Sequence, residues 1–203
     1  MRTFVKTVWS VALVFILFAV GLLVSDKLYL RNQMIRLRVV GASNGTVDQR
    51  IKLQVKDSVN AFLSDQMIVF DKLSEARRFL SENLSDIEEI ANNKLKSLGS
   101  EFKAKVYLTR EAAPRRDYET FSLPAGIYET LRVDIGPAVG ENWWCVIFPS
   151  LCAPKSVETF ADAAETADIR PGLTGALMGS KPYKVRFFLL DVIGKIENKF
   201  HFS

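Results

Sequence analysis

The chain begins with an apolar segment that no charged residue interrupts. Val8–Val24 is close to the length that crosses the hydrocarbon core of a bilayer. Arg2 and Lys6 precede it and Asp26 follows, which by the positive-inside bias places the N-terminus in the cytoplasm and the remaining chain outside. We therefore predict an export signal or membrane anchor over residues 1–26. Cleavage and retention both stay open, because no small-residue cleavage site follows the apolar run.

After a short linker the pattern changes to a strand followed by helices. Apolar side chains alternate with two arginines over residues 35–39, which is the period of a strand with one buried face. Apolar residues then recur at every fourth position over Val47–Leu63, which predicts a helix opened by a capping box at Thr46. Residues 72–98 continue as helix, with a break near Ser85, where a second capping box begins.

The second half of the chain has the period of a sheet. Strand-like runs separated by proline, glycine and aspartate turn signals cover residues 102–108, 118–123, 127–135 and 143–148. The pattern predicts an α+β domain over residues 35–152, a two-layer fold with helices on one face of a mixed sheet, preceded by the N-terminal transmembrane or signal segment and a linker at 27–34. Residues 153–182 lose apolar periodicity, which indicates a flexible linker with at most one short helix. Residues 183–203 form an amphipathic helix.

Charge and composition narrow the classes of function. Among 203 residues there are 27 Lys+Arg and 23 Asp+Glu, a formal charge of +4. So small a surplus, without a basic stripe, does not indicate nucleic-acid binding. One histidine and two cysteines are too few for a zinc site that needs four such ligands. No phosphate-binding glycine loop stands out, so we expect neither a metal nor a cofactor.

One local motif resembles catalytic machinery. Gly41–Gly45 fits the G-x-S-x-G nucleophile elbow with Ser43 between a strand and a helix, and Asp191 and His201 follow in the order of a hydrolase triad. A nucleophile elbow follows a fully buried strand, whereas the alternating arginines predict a half-exposed one. His201 also lies near a chain end that normally frays. We therefore expect a turn rather than an enzyme, and keep an exported serine hydrolase as the least favoured alternative.

The segment Trp143–Cys152 combines two adjacent tryptophans with both cysteines of the chain. In an exported protein, two cysteines around a proline favour a disulfide between Cys145 and Cys152, and two buried thiols are the alternative. Adjacent residues on a strand point to opposite faces, so one tryptophan should belong to the core. The other should be exposed, where an aromatic side chain makes a good contact for a partner.

These residues resemble the stage II sporulation protein R family of endospore-forming bacteria. The similarity covers roughly Ile35–Cys152. Its segments are Arg36–Val39, Ala42–Asn44, Leu53–Val59, Leu123–Tyr128, Leu131–Gly136 and Gly140–Cys152. The last of these is the most specific, because a double tryptophan followed by cysteine is rarely obtained by chance.

The resemblance implies an exported signalling protein of sporulation. Such proteins are made in the forespore, cross its membrane into the intermembrane space, and activate a membrane-embedded aspartic protease of the mother cell. That protease then removes the pro-segment of a sigma factor of the sigma-E type. The expected partner is thus the protease, with membrane contact through the N-terminal segment and no small-molecule substrate. A cell-wall or membrane-surface binding module is the alternative. The expected partner-binding residues are Pro124, Gly126, Tyr128, Asn142, Trp143, Trp144, Phe148 and Pro149.

Overall fold

After the N-terminal helix the chain forms one strand and then three helices, and the other strands of the sheet follow, as the change of period predicts. A computed structural model describes residues 2–67, 70–149, 157–179 and 184–201. Its elements are α1 (Arg2–Arg31), β1 (Ile35–Val40), α2 (Thr46–Met67), α3 (Leu73–Glu82), α4 (Leu84–Ser97), β2 (Ala104–Ala113), β3 (Arg116–Asp117), β4 (Ser122–Leu123), β5 (Gly126–Ile135), β6 (Asn142–Phe148), α5 (Val157–Thr166), α6 (Pro171–Leu177) and α7 (Lys184–His201).

A four-stranded mixed sheet in the order β2-β5-β1-β6 lies at the centre of the domain. β1 is parallel to β5, with Leu37 opposite Leu131, and antiparallel to β6, while β2 is antiparallel to β5. The apolar side chains of β1 point to the face that α2 and α4 cover, where Val55 and Ile87 are fully buried. The predicted α+β class with helices on a mixed sheet is confirmed. β3 and β4 form a separate two-residue ladder in place of the longer strand expected at 118–123.

The side chains predicted to form capping boxes have other partners. The Gln49 side-chain amide donates to the carbonyl of Ser43 at 2.6 Å. The Glu88 carboxylate accepts the backbone N–H of Val106 at 2.9 Å, and Asn92 Oδ1 accepts that of Ala104 at 2.8 Å. These two α4 side chains bond the outer edge of β2, which blunts the tendency of an edge strand to pair with another chain.

The region predicted as a flexible linker contains two packed helices, α5 and α6. Phe160 and Leu173 are fully buried, and the Phe160 ring stacks on Phe121 with 4.3 Å between ring centroids. α5 is rich in alanine and threonine and α6 contains two glycines, so one or two large residues per helix supply the packing. Such sparse apolar positions give little periodicity, which is why the sequence pattern indicated a linker.

The second linker, predicted at residues 27–34, instead continues α1 to Arg31. Leu30 and Met34 are 1% exposed, and the Asp26 carboxylate lies 3.3 Å from Arg170 Nη1. The Tyr29 hydroxyl donates to the carbonyl of Asp168. The last turns of α1 are therefore part of the folded domain, where they contact α7, β5 and the turn between α5 and α6.

Candidate interaction surface

The predicted partner-binding residues do not lie together on one surface, because the loop before β5 and the pair Asn142 and Trp143 are at opposite ends of the sheet, and most of the residues are buried. Pro124 and Gly126 lie where β5 begins, and Trp144, Phe148 and Pro149 lie along and after β6. Tyr128 is 2% exposed. Only Asn142 and Trp143 of the eight are partly exposed. In this conformation a partner can therefore touch these two side chains directly, whereas Pro124 and Gly126 are buried at the other end of the sheet.

The loop before β5 is buried because α7 packs on it. The backbone N–H of Ala125 donates to Asp191 Oδ1 at 2.9 Å. The Tyr128 hydroxyl donates to the carbonyl of Pro124 at 2.9 Å. Burial raises the pKa of Tyr128 well above its usual value, although the nearby Arg36 charge opposes the shift. The phenol is therefore neutral at physiological pH and serves as a hydrogen-bond donor inside the fold.

Arg36 is completely buried on the sheet face opposite α2 and α4. Its guanidinium carbon lies 5.2 Å from the Tyr128 ring centroid and 4.7 Å from that of Trp144. Nε and Nη2 have no hydrogen-bond partner among the described residues, and Nη1 reaches the Pro114 carbonyl at 3.4 Å. Cation–π attraction in a water-free site offsets part of the cost of burying this charge. The expectation that the β1 arginines are solvent-exposed is therefore wrong for Arg36.

A chain of ion pairs crosses the same face of the sheet beside Arg36. Arg38 Nη1 lies 2.5 Å from Glu111 Oε2, and Arg132 Nη1 lies 3.2 Å from the same oxygen. Arg132 also pairs with Asp134 at 2.7 Å, and the Tyr107 hydroxyl donates to the other oxygen of Asp134 at 2.8 Å. Burial together with this hydrogen bond raises the pKa of Tyr107. Three strands contribute to this half-buried array, which we call the polar face.

The sequence pattern by itself does not reveal the polar face. Charged residues occupy alternate positions of β1 and β5. Neither pattern indicates that the two strands are neighbours, and only the register places Arg38 beside Arg132. The sequence therefore contained the residues of the array but not their adjacency.

Trp143 lies on the α2 side of β6 and Trp144 on the polar face, in agreement with the expected alternation. The Lys56 ammonium lies 5.1 Å from the Trp143 ring centroid, and the Arg38 guanidinium lies 5.0 Å from that of Trp144. Asn142 Oδ1 accepts a hydrogen bond from Arg38 Nε at 3.0 Å. The exposed pair Asn142 and Trp143 is thus held in place by cationic side chains from α2 and β1.

Ser43 and Asp191 lie at opposite ends of the sheet. The Ser43 hydroxyl donates to Asp48 Oδ2 at 2.5 Å and accepts the Gly45 N–H at 3.0 Å, so it stabilises the turn into α2. Asp191 contacts Ala125 before β5 begins, whereas the Ser43 turn contacts Gly140 after β5 ends. The 10 residues of β5 separate the two by roughly 30 Å. This geometry contradicts the hydrolase triad.

Cys145 is buried on β6, opposite Leu37 of β1. Its predicted disulfide partner, Cys152, lies outside the described residues, so the pairing stays a prediction. The part of the segment Trp143–Cys152 that follows Pro149 also lies outside the described residues.

The apolar N-terminal segment forms the exposed part of α1. Phe4–Arg31 is long and apolar enough to cross a membrane, which fits the expected signal or anchor. The molecule is thus an α+β domain carried on a helix of membrane-spanning length, with a polar face and one part-exposed tryptophan near an edge of the sheet.

Comparison with known proteins identifies the family. The chain belongs to the family described as Stage II sporulation protein R, whose model matches residues 31–158. The Stage II sporulation protein R of Bacillus subtilis (strain 168) is 33% identical over 121 residues, which are 60% of this chain and 54% of that protein. The matched region thus spans about half the length of that curated relative. No solved structure matches the chain. The predicted family is confirmed, and with it a role in sporulation.

Proposed function

We propose that this protein is exported from the forespore into the intermembrane space and there activates a membrane-embedded aspartic protease of the mother cell, which processes a pro-sigma factor. The observation that carries the proposal is the family match over residues 31–158, which includes both the loop before β5 and β6. A helix of membrane-spanning length at the N-terminus supports export. The protein acts as a ligand in this proposal and performs no chemistry itself.

The surface proposed for the protease centres on Asn142 and Trp143. Both are part-exposed, and β6 is at one edge of the sheet. Large aromatic side chains held on rigid elements contribute disproportionately to binding, because little rotamer freedom is lost. A ligand that binds the active state of a protease better than the inactive state shifts the population towards the active state. Of the six buried residues, Trp144, Phe148 and Pro149 belong to β6 and the residue after it, whereas Pro124, Gly126 and Tyr128 lie towards the other end of β5 and are not part of this surface.

Reconstitution tests the proposed activity. The chain is co-expressed with the sporulation aspartic protease and its pro-sigma substrate in a bacterium that does not sporulate, and substrate size is followed by immunoblot. Cleavage is expected only when the chain carries its export segment, so a variant without residues 1–26 is run in parallel. Absence of cleavage with the exported, folded protein present contradicts the proposal. In that case a pull-down on peptidoglycan tests the cell-wall binding alternative.

Two substitutions test the proposed surface within the same assay. Asn142→Ala and Trp143→Ala are expected to reduce cleavage several-fold while the protein is still exported. Phe102→Ala is the matched control, because Phe102 is an exposed aromatic residue before β2, at the opposite edge of the sheet. Circular dichroism of each purified variant checks the fold. Equal cleavage by the Trp143→Ala variant and by the control removes the surface assignment and leaves the activation proposal in place.

A further inference from the structure

Helix α7 has one face that packs on the domain. Phe187, Leu190 and Gly194 are buried on this face. Two polar contacts fix its position: Asp191 accepts the N–H of Ala125, and Asn198 Nδ2 donates to the carbonyl of Ala113 at 3.0 Å. The loop before β5 and the end of β2 therefore hold α7 by its inner face.

The outer face of α7 is an exposed apolar stripe. Exposed fractions are 61% for Phe188, 37% for Leu189, 53% for Ile196 and 76% for Phe200. At about 100° per residue, these four side chains fall within roughly 120° of the helix circumference. Lys195 lies at one border of the stripe and also pairs with the Asp191 carboxylate at 2.9 Å, and Lys199 lies between Phe188 and Ile196; both lysines are exposed. An apolar stripe with flanking lysines is the pattern of a helix that lies in a membrane interface.

The edge of this stripe touches the end of the membrane helix. Glu197, which follows Ile196, contacts Lys27 Nζ at 2.5 Å and Arg31 Nη1 at 3.2 Å. The Lys27 side chain is only 7% exposed, so the pair is shielded from water on the α1 side. Charge pairs of this kind, shielded from water, are lost only at substantial cost, which holds the two helices together.

The position of that contact sets the depth of α7 relative to a bilayer. The uninterrupted apolar run of α1 ends at Val24, and Lys27 and Arg31 follow at about 5 Å and 10 Å along the helix axis. The polar headgroup region on each side of the hydrocarbon core is roughly 5 to 8 Å thick. Glu197 therefore lies at the level of the headgroups when α1 spans the bilayer, and Ile196 and Phe200 lie within one helical turn of it.

We propose that α7 is a membrane-surface helix, whose stripe of Phe188, Leu189, Ile196 and Phe200 is buried in the headgroup boundary of the anionic bilayer that α1 enters. Attachment of α7 to the end of the membrane helix and the two exposed lysines both favour a lipid occupant over a protein. The domain is then held against the bilayer at two points instead of swinging on a single helix. This inference concerns lipid contact, so it does not depend on protease activation.

Photo-crosslinking of the full chain in liposomes tests the proposal. The photoreactive amino acid p-benzoylphenylalanine is placed at Ile196 or Phe200 in vesicles of phosphatidylethanolamine and phosphatidylglycerol, and lipid adducts are quantified by mass spectrometry. Phe15 in the apolar part of α1 is the positive control. Val139, which is 71% exposed in the turn between β5 and β6, is the negative control. The α7 positions are expected to give lipid adducts several-fold above Val139.

Each other outcome contradicts the proposal. If the α7 positions give adducts only at the level of Val139, the stripe lies in water. If they give a crosslinked dimer, the stripe contacts a second copy of the chain. If Phe15 gives no lipid adducts, α1 does not enter the bilayer and the premise of the proposal is lost. The double variant Lys195→Gln with Lys199→Gln, probed at Phe200, tests the charge contribution. Its adduct yield should fall, as should that of the unmodified helix when phosphatidylcholine replaces phosphatidylglycerol. A yield independent of both changes refutes recognition of an anionic surface.

Discussion

Replacement of Gly194 by alanine should detach α7 from the loop before β5. A Cβ at this position would lie 1.6 Å from the Ala125 carbonyl oxygen and 2.4 Å from the carbonyl carbon. Both neighbours are backbone atoms, so no rotamer change relieves the overlap. Because real Cβ atoms come no closer than 3.0 Å to another heavy atom, the helix must retreat by roughly 1.4 Å.

The free-energy cost follows from the contacts that this displacement breaks. The hydrogen bond from the Ala125 N–H to Asp191 is 2.9 Å long and involves a carboxylate that is 3% exposed. Loss of a hydrogen bond to a buried charged group costs about 1.5 to 3 kcal/mol. A gap of this width beneath Leu190 and Phe187 forfeits more than half of their dispersion contacts and adds about 1 to 3 kcal/mol. Gly194→Ala should therefore destabilise the docked helix by about 3 to 6 kcal/mol.

Hydrogen–deuterium exchange of the full chain in detergent micelles measures this effect locally. In the Gly194→Ala protein, backbone amides of α7 and the amide of Ala125 should exchange at least about a hundredfold faster, because 2.7 kcal/mol corresponds to that factor. The matched control is Gly21→Ala, since a Cβ at Gly21 meets no atom within 4 Å. That variant should leave α7 protection unchanged. Equal protection of α7 in both variants would refute the docking contact.

Two further predictions concern the interior beneath the polar face. Arg36→Met fills a similar volume between the Tyr128 and Trp144 rings and removes two nitrogens that have no partner among the described residues. The free energy of unfolding should therefore change by about 1 kcal/mol or less. Arg36→Ala instead leaves a cavity and should lower the free energy of unfolding by about 3 kcal/mol. Urea denaturation followed by tryptophan fluorescence separates the two, and equal losses would show that the charge itself stabilises the site. The free energy of unfolding should also fall above about pH 10, because the pKa of Tyr128 is raised in the folded state and the unfolded chain therefore ionises first. The loss is up to about 1.4 kcal/mol per pH unit and continues until the pH reaches the pKa of the folded state. Tyr128→Phe should flatten this slope relative to the unmodified protein in pH-dependent melting, and an unchanged slope would contradict the assignment.

The local elements of this protein follow closely from its sequence. The alternation over residues 35–39 and the fourfold spacing in Val47–Leu63 predict β1 and α2 with small boundary errors. These patterns are reliable because each strand or helix must bury one face, whatever lies on the other side. The motifs at Leu123–Tyr128 and Trp143–Cys152 also predicted the family, which the comparison confirms.

Long-range contacts decided which polar faces of the strands and which loops are buried. An alternating arginine indicates the solvent side of a strand by itself, yet Arg36 is buried because Tyr128 and Trp144 enclose it from two other strands. In the same way, α7 buries the predicted contact loop at Pro124. A periodic pattern states which side of an element is apolar but not which distant segment packs there.

The sequence by itself determined the membrane-length helix, the class of the fold, the family and the main helices and strands, because these depend on composition and on residues close together in the chain. Only the tertiary structure decided that Ser43 and Asp191 lie at opposite ends of β5. It also decided that arginines and carboxylates of three strands form the polar face. The ion pair between α7 and the end of α1 likewise follows only from the tertiary structure. Those arrangements join residues far apart in the chain, and burial and electrostatic pairing between them arise only once the sheet register is set.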